Sequence, residues 1–207
     1  MHLYTFAKAP NPQRLGYFLK YKGIDITTTE VSINEGEHFS DKFKAINPYS
    51  TLPALVLKDG TVLTDTIAIC VYLEHIYPDK PLFGCSPSEY AQVIGWDHKI
   101  YVDGLEAVAE ILRNKSEFFK DRALPGRVKI SQLDALISRG KTRLSAFWDD
   151  LNNALIGHNY LVGEQLTLAD IDAFVVCDFA GWVKETIPEQ CTQILRWKES
   201  IAKQLGY

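Results

Sequence analysis

Apolar positions along the first eighty residues change period several times. Leu3 to Phe6 (LYTF) alternates weakly and runs into the breaker-rich APNP, after which Leu15, Phe18, Leu19 and Ile24 fall near helical spacing; this predicts strand, turn, helix. Asp25 to Ser32 (DITTTEVS) is rich in β-branched residues and predicts a second strand. HFSDKFKAI reads as a short amphipathic helix. ALVL and TVL read as two strands joined by the turn signal Lys58–Asp59–Gly60. Asp65 to Tyr77 (DTIAICVYLEHIY) closes this half as a helix, with Pro78 and Pro81 beyond its end. The predicted order is β-α-β-α-β-β-α.

From Ser86 onward the pattern is helical throughout. Ser88 to Arg113 carries Val93, Ile94, Tyr101, Leu105, Val108 and Leu112 at helical spacing, and Ser131 to Leu155 repeats the pattern. Two more helices are predicted over Leu168 to Glu185 and Glu189 to Leu205, with Phe174, Phe179 and Trp182 as core. Thr167-Leu-Ala-Asp170 has the spacing of a capping box, a stabilising device that needs no ligand. The composition shift at DKPLFGCSPSE divides the chain into a small α/β domain over 1–80 and an all-helical domain over 87–207. There is no internal repeat and no low-complexity tract.

Composition narrows the function classes. Apolar residues at 46% and charged residues at 23% are ordinary for a globular protein. A net charge of −4 without a run of lysine and arginine argues against nucleic acid or an anionic membrane as the main partner. No basic region followed by a long apolar run opens the chain, and no stretch is long enough to span a bilayer, so a soluble cytoplasmic protein is expected. Cys70, Cys85, Cys177 and Cys191 are scattered, with neither CxxC nor zinc spacing; free thiols and no metal site are expected.

Two local patterns carry candidate chemistry. Pro53 stands directly before a short β-type run although proline cannot donate to a strand ladder, so it starts a strand, sits at an edge or bulge, or marks a cis bond. One reading is that Leu52–Pro53 turns the backbone so that the amide and carbonyl of Leu52 face outward, open to a ligand. Asp65–Thr66 opens a helix, where unpaired backbone N–H groups, a hydroxyl and the positive end of the helix dipole meet. Asp65 is equally a good helix cap, and the two roles are compatible.

Three stretches, APNPQRLGYFLKYKGI, NPYSTLPALVLKDGTVLTDTIAICVYLEHIYP with LF following, and LVGEQLTLADIDAFVVCDFAGWV, together resemble the glutathione transferase family over essentially the whole chain. GLEAVAEILRN, RALPG and DFAGWVK resemble its bacterial and fungal branch related to the second yeast glutathione transferase, which lacks the usual catalytic serine, tyrosine or cysteine. The resemblance implies a thioredoxin-like domain followed by an all-helical one. It implies reduced glutathione as co-substrate, no permanently bound cofactor, a small hydrophobic electrophile as second substrate, and a homodimer. Leu52 and Pro53 occupy the positions where the family pairs its backbone with the cysteinyl part of glutathione, as an added strand would. Asp65 and Thr66 stand where the γ-glutamyl end is held, and His38 where the glycyl carboxylate is often held. Thr51 replaces a longer glutamine or lysine, and Tyr49–Ser50 departs from the commoner glycine-containing turn. The first helical hairpin supplies Tyr101, Arg113 and Asn114, with Glu106 and His98 beside them, as candidates for the second-substrate pocket.

At the strand-to-helix turn the resemblance puts Ala9 where serine and cysteine classes meet the glutathione sulfur, so neither mechanism is available through this residue. A thiol with a pKa of ~8.5 is mostly protonated at neutral pH, and lowering it by ~2 units takes about 3 kcal/mol of preferential stabilisation of the anion. A helix N-terminus supplies ~0.3–1 kcal/mol and a directed hydrogen bond to the charge ~1.5–3 kcal/mol. Asn11, read as N-cap before Pro12 at N1, is the nearest donor, through its amide NH₂ or its main-chain N–H, with a held water as the rival device. Arg14 adds positive potential or pairs structurally. The expected activity is conjugation of the glutathione thiolate to hydrophobic electrophiles; a non-catalytic carrier and a glutathione-dependent peroxidase are the alternatives.

Overall fold

The computed structural model describes residues 1–207, which divide into two compact units: Met1–Lys80 with Leu124–Val128, and Pro81–Ala123 with Lys129–Tyr207. The loop Leu124–Val128, which the sequence boundary assigns to the helical domain, thus clusters with the first unit.

The first unit holds β1 (His2–Thr5), α1 (Pro10–Lys22), β2 (Thr27–Glu30), α2 (Asp41–Lys44), β3 (Ala54–Val56), β4 (Val62–Leu63) and α3 (Thr66–Ile76). A single 3₁₀ turn, Glu37–Phe39, precedes α2, so the predicted HFSDKFKAI helix is split at Ser40, whose hydroxyl caps Phe43 N–H. The sheet order is β2-β1-β3-β4; β1 and β2 are parallel, and the other two pairings are antiparallel. Alternation sorts the strand residues between faces. Tyr4, Ala54 and Val62 join Val31 and Phe43 on one face. Leu3 and Leu55, on the alternate positions, are buried, as are Leu15 and Phe18 of α1 and Ile69 and Leu73 of α3. The β3–β4 hairpin closes at Gly60, with φ 89°, through Leu57 N–H to the Thr61 carbonyl and Thr61 N–H to Asp59.

A buried cation ties α1 to α3. The Lys22 ammonium, with almost no exposed surface, bonds Glu74 at 2.8 Å, the Asp79 carbonyl at 2.8 Å and the Lys80 carbonyl at 3.1 Å. All three of its donors are used, which is the condition under which burying a charge is tolerated.

The loop before β3 is organised by Asn47, which is fully buried. Its Oδ1 accepts from Tyr49 N–H, while its Nδ2 donates to the Thr51 carbonyl at 2.8 Å and the Thr51 hydroxyl at 3.1 Å. Ser50 within this turn keeps the left-handed conformation that the missing glycine would adopt, at φ 58°, and its buried hydroxyl has no hydrogen-bond partner.

The second unit comprises α4 (Pro87–Lys99), a π-helical turn (Ile100–Leu105), α5 (Glu106–Lys115), α6 (Asp134–Ala154), α7 (Leu168–Trp182) and α8 (Thr192–Leu205). The predicted helix from Ser88 to Arg113 is therefore continuous but carries a register change at its middle. α7 is its axis, with Leu168 to Cys177 buried on every side. A Cβ at Gly140 of α6 would sit 2.7 Å from the Ala107 carbonyl oxygen, which shows how closely α6 approaches α5. Asp170 is fully buried and accepts from Leu161 N–H, Thr167 N–H, the Thr167 hydroxyl and Trp197 Nε1 at 2.9–3.0 Å. Burial pushes its carboxyl up, and these donors pull against that shift. Phe174 and Phe179 are core as expected; Trp182 is not, being 52% exposed at the end of α7, where the last turn leaves the helix-rich centre. No helix is long and apolar enough to cross a membrane.

Two stability predictions follow from unpaired or deprived polar groups. Ser50→Gly removes both a left-handed side chain and a buried unsatisfied hydroxyl, each costing on the order of 1–2 kcal/mol, against roughly 1 kcal/mol of added unfolded-state freedom. Thermal unfolding of this variant should shift upward by a few degrees. Asp170→Ala leaves several buried donors without an acceptor and should cost at least ~3 kcal/mol, or about 10 °C in Tm for a chain of this size.

Candidate active site

Sheet register brings three loop ends to one edge of the first unit. Tyr4 of β1 pairs with Ala54 of β3, so the end of β1 lies beside the start of β3; Leu55 pairs with Leu63, so the end of β4 lies there too. The β1–α1 turn, Leu52–Pro53 and the start of α3 therefore open at the same end of the sheet. Two inter-strand spacings amount to about 10 Å, and three extended residues reach about 10 Å. A tripeptide matches that span.

At the α1 end the turn is built by Ala9 N–H to the Phe6 carbonyl, with Ala7 N–H held by Glu30. The helix begins at Pro10, not at Asn11: Ala9 is the N-cap and has no side-chain cap. This corrects the reading of Asn11 as N-cap. Proline at N1 is as good a start signal as asparagine at N-cap, and APNP offers both. Pro10 and Pro12 have no N–H, Ala9 N–H is used in the turn, and Gln13 N–H already bonds the Ala9 carbonyl. The main-chain N–H of Asn11 is left as the one unpaired donor of the first turn.

The Asn11 side chain adds a second donor. Its Oδ1 accepts from the Arg14 guanidinium at 2.9 Å. A guanidinium only donates, so this bond fixes which end of the carboxamide is oxygen and leaves the NH₂ without a protein partner. Arg14 is 2% exposed, which holds the arrangement rigid. Its spacing of three from Asn11 on a helix was legible in the sequence once the helix start was moved to Pro10.

Leu52–Pro53 is cis, and the Leu52 N–H and carbonyl make no hydrogen bond within the chain. The Thr51 hydroxyl and carbonyl both accept from Asn47. At α3, Asp65 caps the helix by accepting from Ala68 N–H at 2.9 Å through Oδ1; Oδ2 and the N–H groups of Thr66 and Ile67 have no partner. The Thr66 side chain is buried. His38 lies in the 3₁₀ turn, half-buried, with its ring 3.8 Å from that of Phe39. A separate cleft of about 290 Å³ runs along β1 and α1 past Thr5, Gln13 and Tyr17, and includes none of Asn11, Leu52 or Asp65.

Protein thiols take no part at this end. Cys70, Cys177 and Cys191 are buried, and burial pushes the Cys177 thiol up to about 12. Cys85, exposed before α4, accepts from Gln165.

The helical unit places its candidates less uniformly. Tyr101 lies in the π turn and is partly exposed. Arg113 and Asn114 lie near the end of α5. Both ends of the Asn114 amide serve the fold: Nδ2 donates to the Glu110 carbonyl and Oδ1 accepts from Leu133 N–H. His98 is exposed on α4.

The family profile described as Glutathione S-transferase, N-terminal domain, matches residues 9–76, and that described as Glutathione S-transferase, C-terminal domain, matches residues 126–204. The chain belongs to the glutathione S-transferase family. It is 28% identical over 202 residues to Glutathione S-transferase 2 of Saccharomyces cerevisiae, covering 95% of this chain and 83% of that protein. It is 26% identical over 208 residues to Glutathione S-transferase D7 of Drosophila melanogaster, covering 98% and 84%. Among solved structures, a glutathione S-transferase domain-containing protein from Marinobacter aquaeolei VT8 superposes with a TM-score of 0.89 at 28% identity, covering 98% of this chain and 97% of that one. The thioredoxin-like unit and helical unit are thus those of a glutathione S-transferase. Replacing Asp65 by Ala removes the α3 cap and should cost about 1 kcal/mol, a few degrees in Tm by thermal unfolding, while Asp65→Asn, which keeps a capping oxygen, should leave Tm unchanged.

Proposed function

We propose that the protein conjugates the thiolate of reduced glutathione to small hydrophobic electrophiles, with Asn11 as the residue that stabilises the thiolate. The observation that supports this most directly is the pair of unpaired donors on Asn11, its main-chain N–H and its Arg14-oriented NH₂, at the start of α1. A helix N-terminus contributes ~0.3–1 kcal/mol and one hydrogen bond to a charge ~1.5–3 kcal/mol, and together they approach the roughly 3 kcal/mol that a two-unit fall in thiol pKa takes.

Glutathione lies along the free main chain of Leu52 in this reading, beside Pro53, as an extra strand paired at the start of β3. Its γ-glutamyl carboxylate meets the open N–H groups of Thr66 and Ile67, where the α3 dipole favours an anion, and its ammonium meets Asp65 Oδ2. His38 takes the glycyl carboxylate, and Thr51, its hydroxyl oxygen turned to Asn47, offers the remaining hydroxyl proton. The protein works as a cytoplasmic homodimer with no permanent cofactor. Exposed Tyr49, Phe118 and Leu133 are apolar surface of the kind that a second copy covers.

The pKa of bound glutathione tests the role of Asn11. Asn11→Ala removes the NH₂ but keeps the main-chain N–H, and should raise the bound thiol by about one unit, a roughly 10-fold loss of kcat/KM below neutral pH. Asn11→Asp puts an anion there and should raise it further. Equal values in all three proteins, read by thiolate absorbance, would remove Asn11 from the mechanism. Assays with chlorodinitrobenzene and with cumene hydroperoxide, beside glutathione calorimetry, separate the transferase from a peroxidase and from a carrier that binds without turnover.

A further inference from the structure

The π turn changes which residues share a face of the helical stem. Glu106 N–H bonds the Tyr101 carbonyl, five residues back, so Tyr101 sits one turn before Glu106, where α-helical spacing would have rotated it away. From Glu106 the regular helix carries the same stripe through Ala109 to Arg113. The result is a face with an aromatic ring at one end, a guanidinium at the other, and only the small Ala109 side chain on the stripe between Glu106 and Arg113. The fold maintains this register: Arg143 of α6 donates to the Val102 carbonyl inside the π turn and bonds Glu110 at 3.2 Å.

Arg113 is held in place but not neutralised. It is half-buried, its guanidinium lies 4.5 Å over the Phe119 ring, and its single hydrogen bond is from Nη1 to the Arg122 carbonyl at 2.8 Å. No carboxylate forms an ion pair with it. Gln132 clamps the Arg113 and Ser116 carbonyls, and Asn114 joins Glu110 to Leu133, so the backbone under the guanidinium is fixed before any ligand arrives. Burial lowers the Arg113 pKa, Glu106 opposes this, and the like charge of Arg122 lowers it further. A half-buried guanidinium with spare planar donors over an aromatic face is a carboxylate site without its carboxylate.

The geometry points to Arg113 as the residue that selects second substrates bearing a carboxylate, with the aromatic or apolar body of the electrophile lying along Ala109 toward Tyr101. This rests on the transferase reading above and narrows its substrate class. The step it serves is a substitution: the glutathione thiolate forms a C–S bond at the carbon that carries chlorine, and the C–Cl bond breaks, chloride leaving with its electron pair.

Matched probes test it. In glutathione-saturated protein, kcat/KM is measured for chlorodinitrobenzoate and for the neutral chlorodinitrobenzene, and binding of the unreactive dinitrobenzoate and dinitrobenzene is followed by calorimetry. Arg113→Met should lower the carboxylate-to-neutral ratio about 10- to 100-fold, as expected for a lost charge-assisted hydrogen bond, with the change in KM. Arg113→Lys, which keeps the charge but not the fork, should recover part of it. Glu106→Gln should raise the ratio about threefold by removing the nearest negative charge. If Arg113→Met does not fold, the other two variants decide; ratios unchanged from wild type in both overturn the proposal. A preference for dinitrobenzoate that depends on Arg113, without turnover of either chloro compound, would support the carboxylate site and overturn the transferase reading. Turnover of both with no dependence on residue 113 would do the reverse.

Discussion

A guanidinium can donate hydrogen bonds and cannot accept them. The contact between Arg14 and Asn11 Oδ1 uses that asymmetry to fix which end of the carboxamide is oxygen, and it leaves the NH₂ free to donate elsewhere. Pro10 and Pro12 sharpen the effect by deleting their own N–H groups, so the positive end of α1 is expressed through one residue rather than spread over a turn. The rest of the candidate site is arranged around this point by sheet register, which delivers Leu52 and the start of α3 to the same end as α1. In the proposed mechanism, Asn11 takes the place that a side-chain hydroxyl would have in a chain without alanine at the turn.

Much of the first unit was legible. Strand alternation, the Lys58–Asp59–Gly60 turn and the Asp65 cap are local signals, and each appears where its chemistry puts it. What the sequence left ambiguous had two valid local solutions. APNP can start a helix at Pro10 or after Asn11, and the choice is made by tertiary packing, which buries Arg14 and so fixes the phase of α1. The π turn was invisible for a different reason. Helical periodicity is a statistical pattern, and one inserted residue shifts the phase without breaking the apolar stripe. Asn114 looked like a pocket residue by position, yet its amide is consumed by Glu110 and Leu133; nothing in a single sequence marks a partner nineteen residues away. Trp182 misled because a large aromatic near other apolar residues usually reads as core.

The two units differ in how completely their buried polar groups are paired. The densest polar knot, Asp170 with Thr167, Leu161 and Trp197, lies in the helical unit, and every donor in it is met by the one carboxylate. The first unit tolerates more: Ser50 holds a left-handed backbone with an unmet hydroxyl two residues before Leu52. Asn47 compensates by bonding Tyr49 and Thr51 on either side, so the turn that presents Leu52 is held by its neighbours rather than by Ser50 itself. A loop held this way keeps its main chain available, since the bonds that fix it come from residues 47 to 51 and leave residue 52 unpaired.

Amide donors differ from a hydroxyl in one further respect. Neither the Asn11 N–H nor its NH₂ gains or loses a proton in the physiological range, so they stabilise a thiolate without acting as its base. In the proposed mechanism the thiol proton must therefore depart to solvent as glutathione settles, before the electrophile arrives. That order ties the rate of conjugation to the ionised fraction of bound glutathione, and makes its pKa, rather than the identity of any protein base, the quantity that the α1 terminus controls. In that mechanism a neutral, fully donating arrangement is enough, because the group at the α1 terminus has only to hold the anion and never to take its proton.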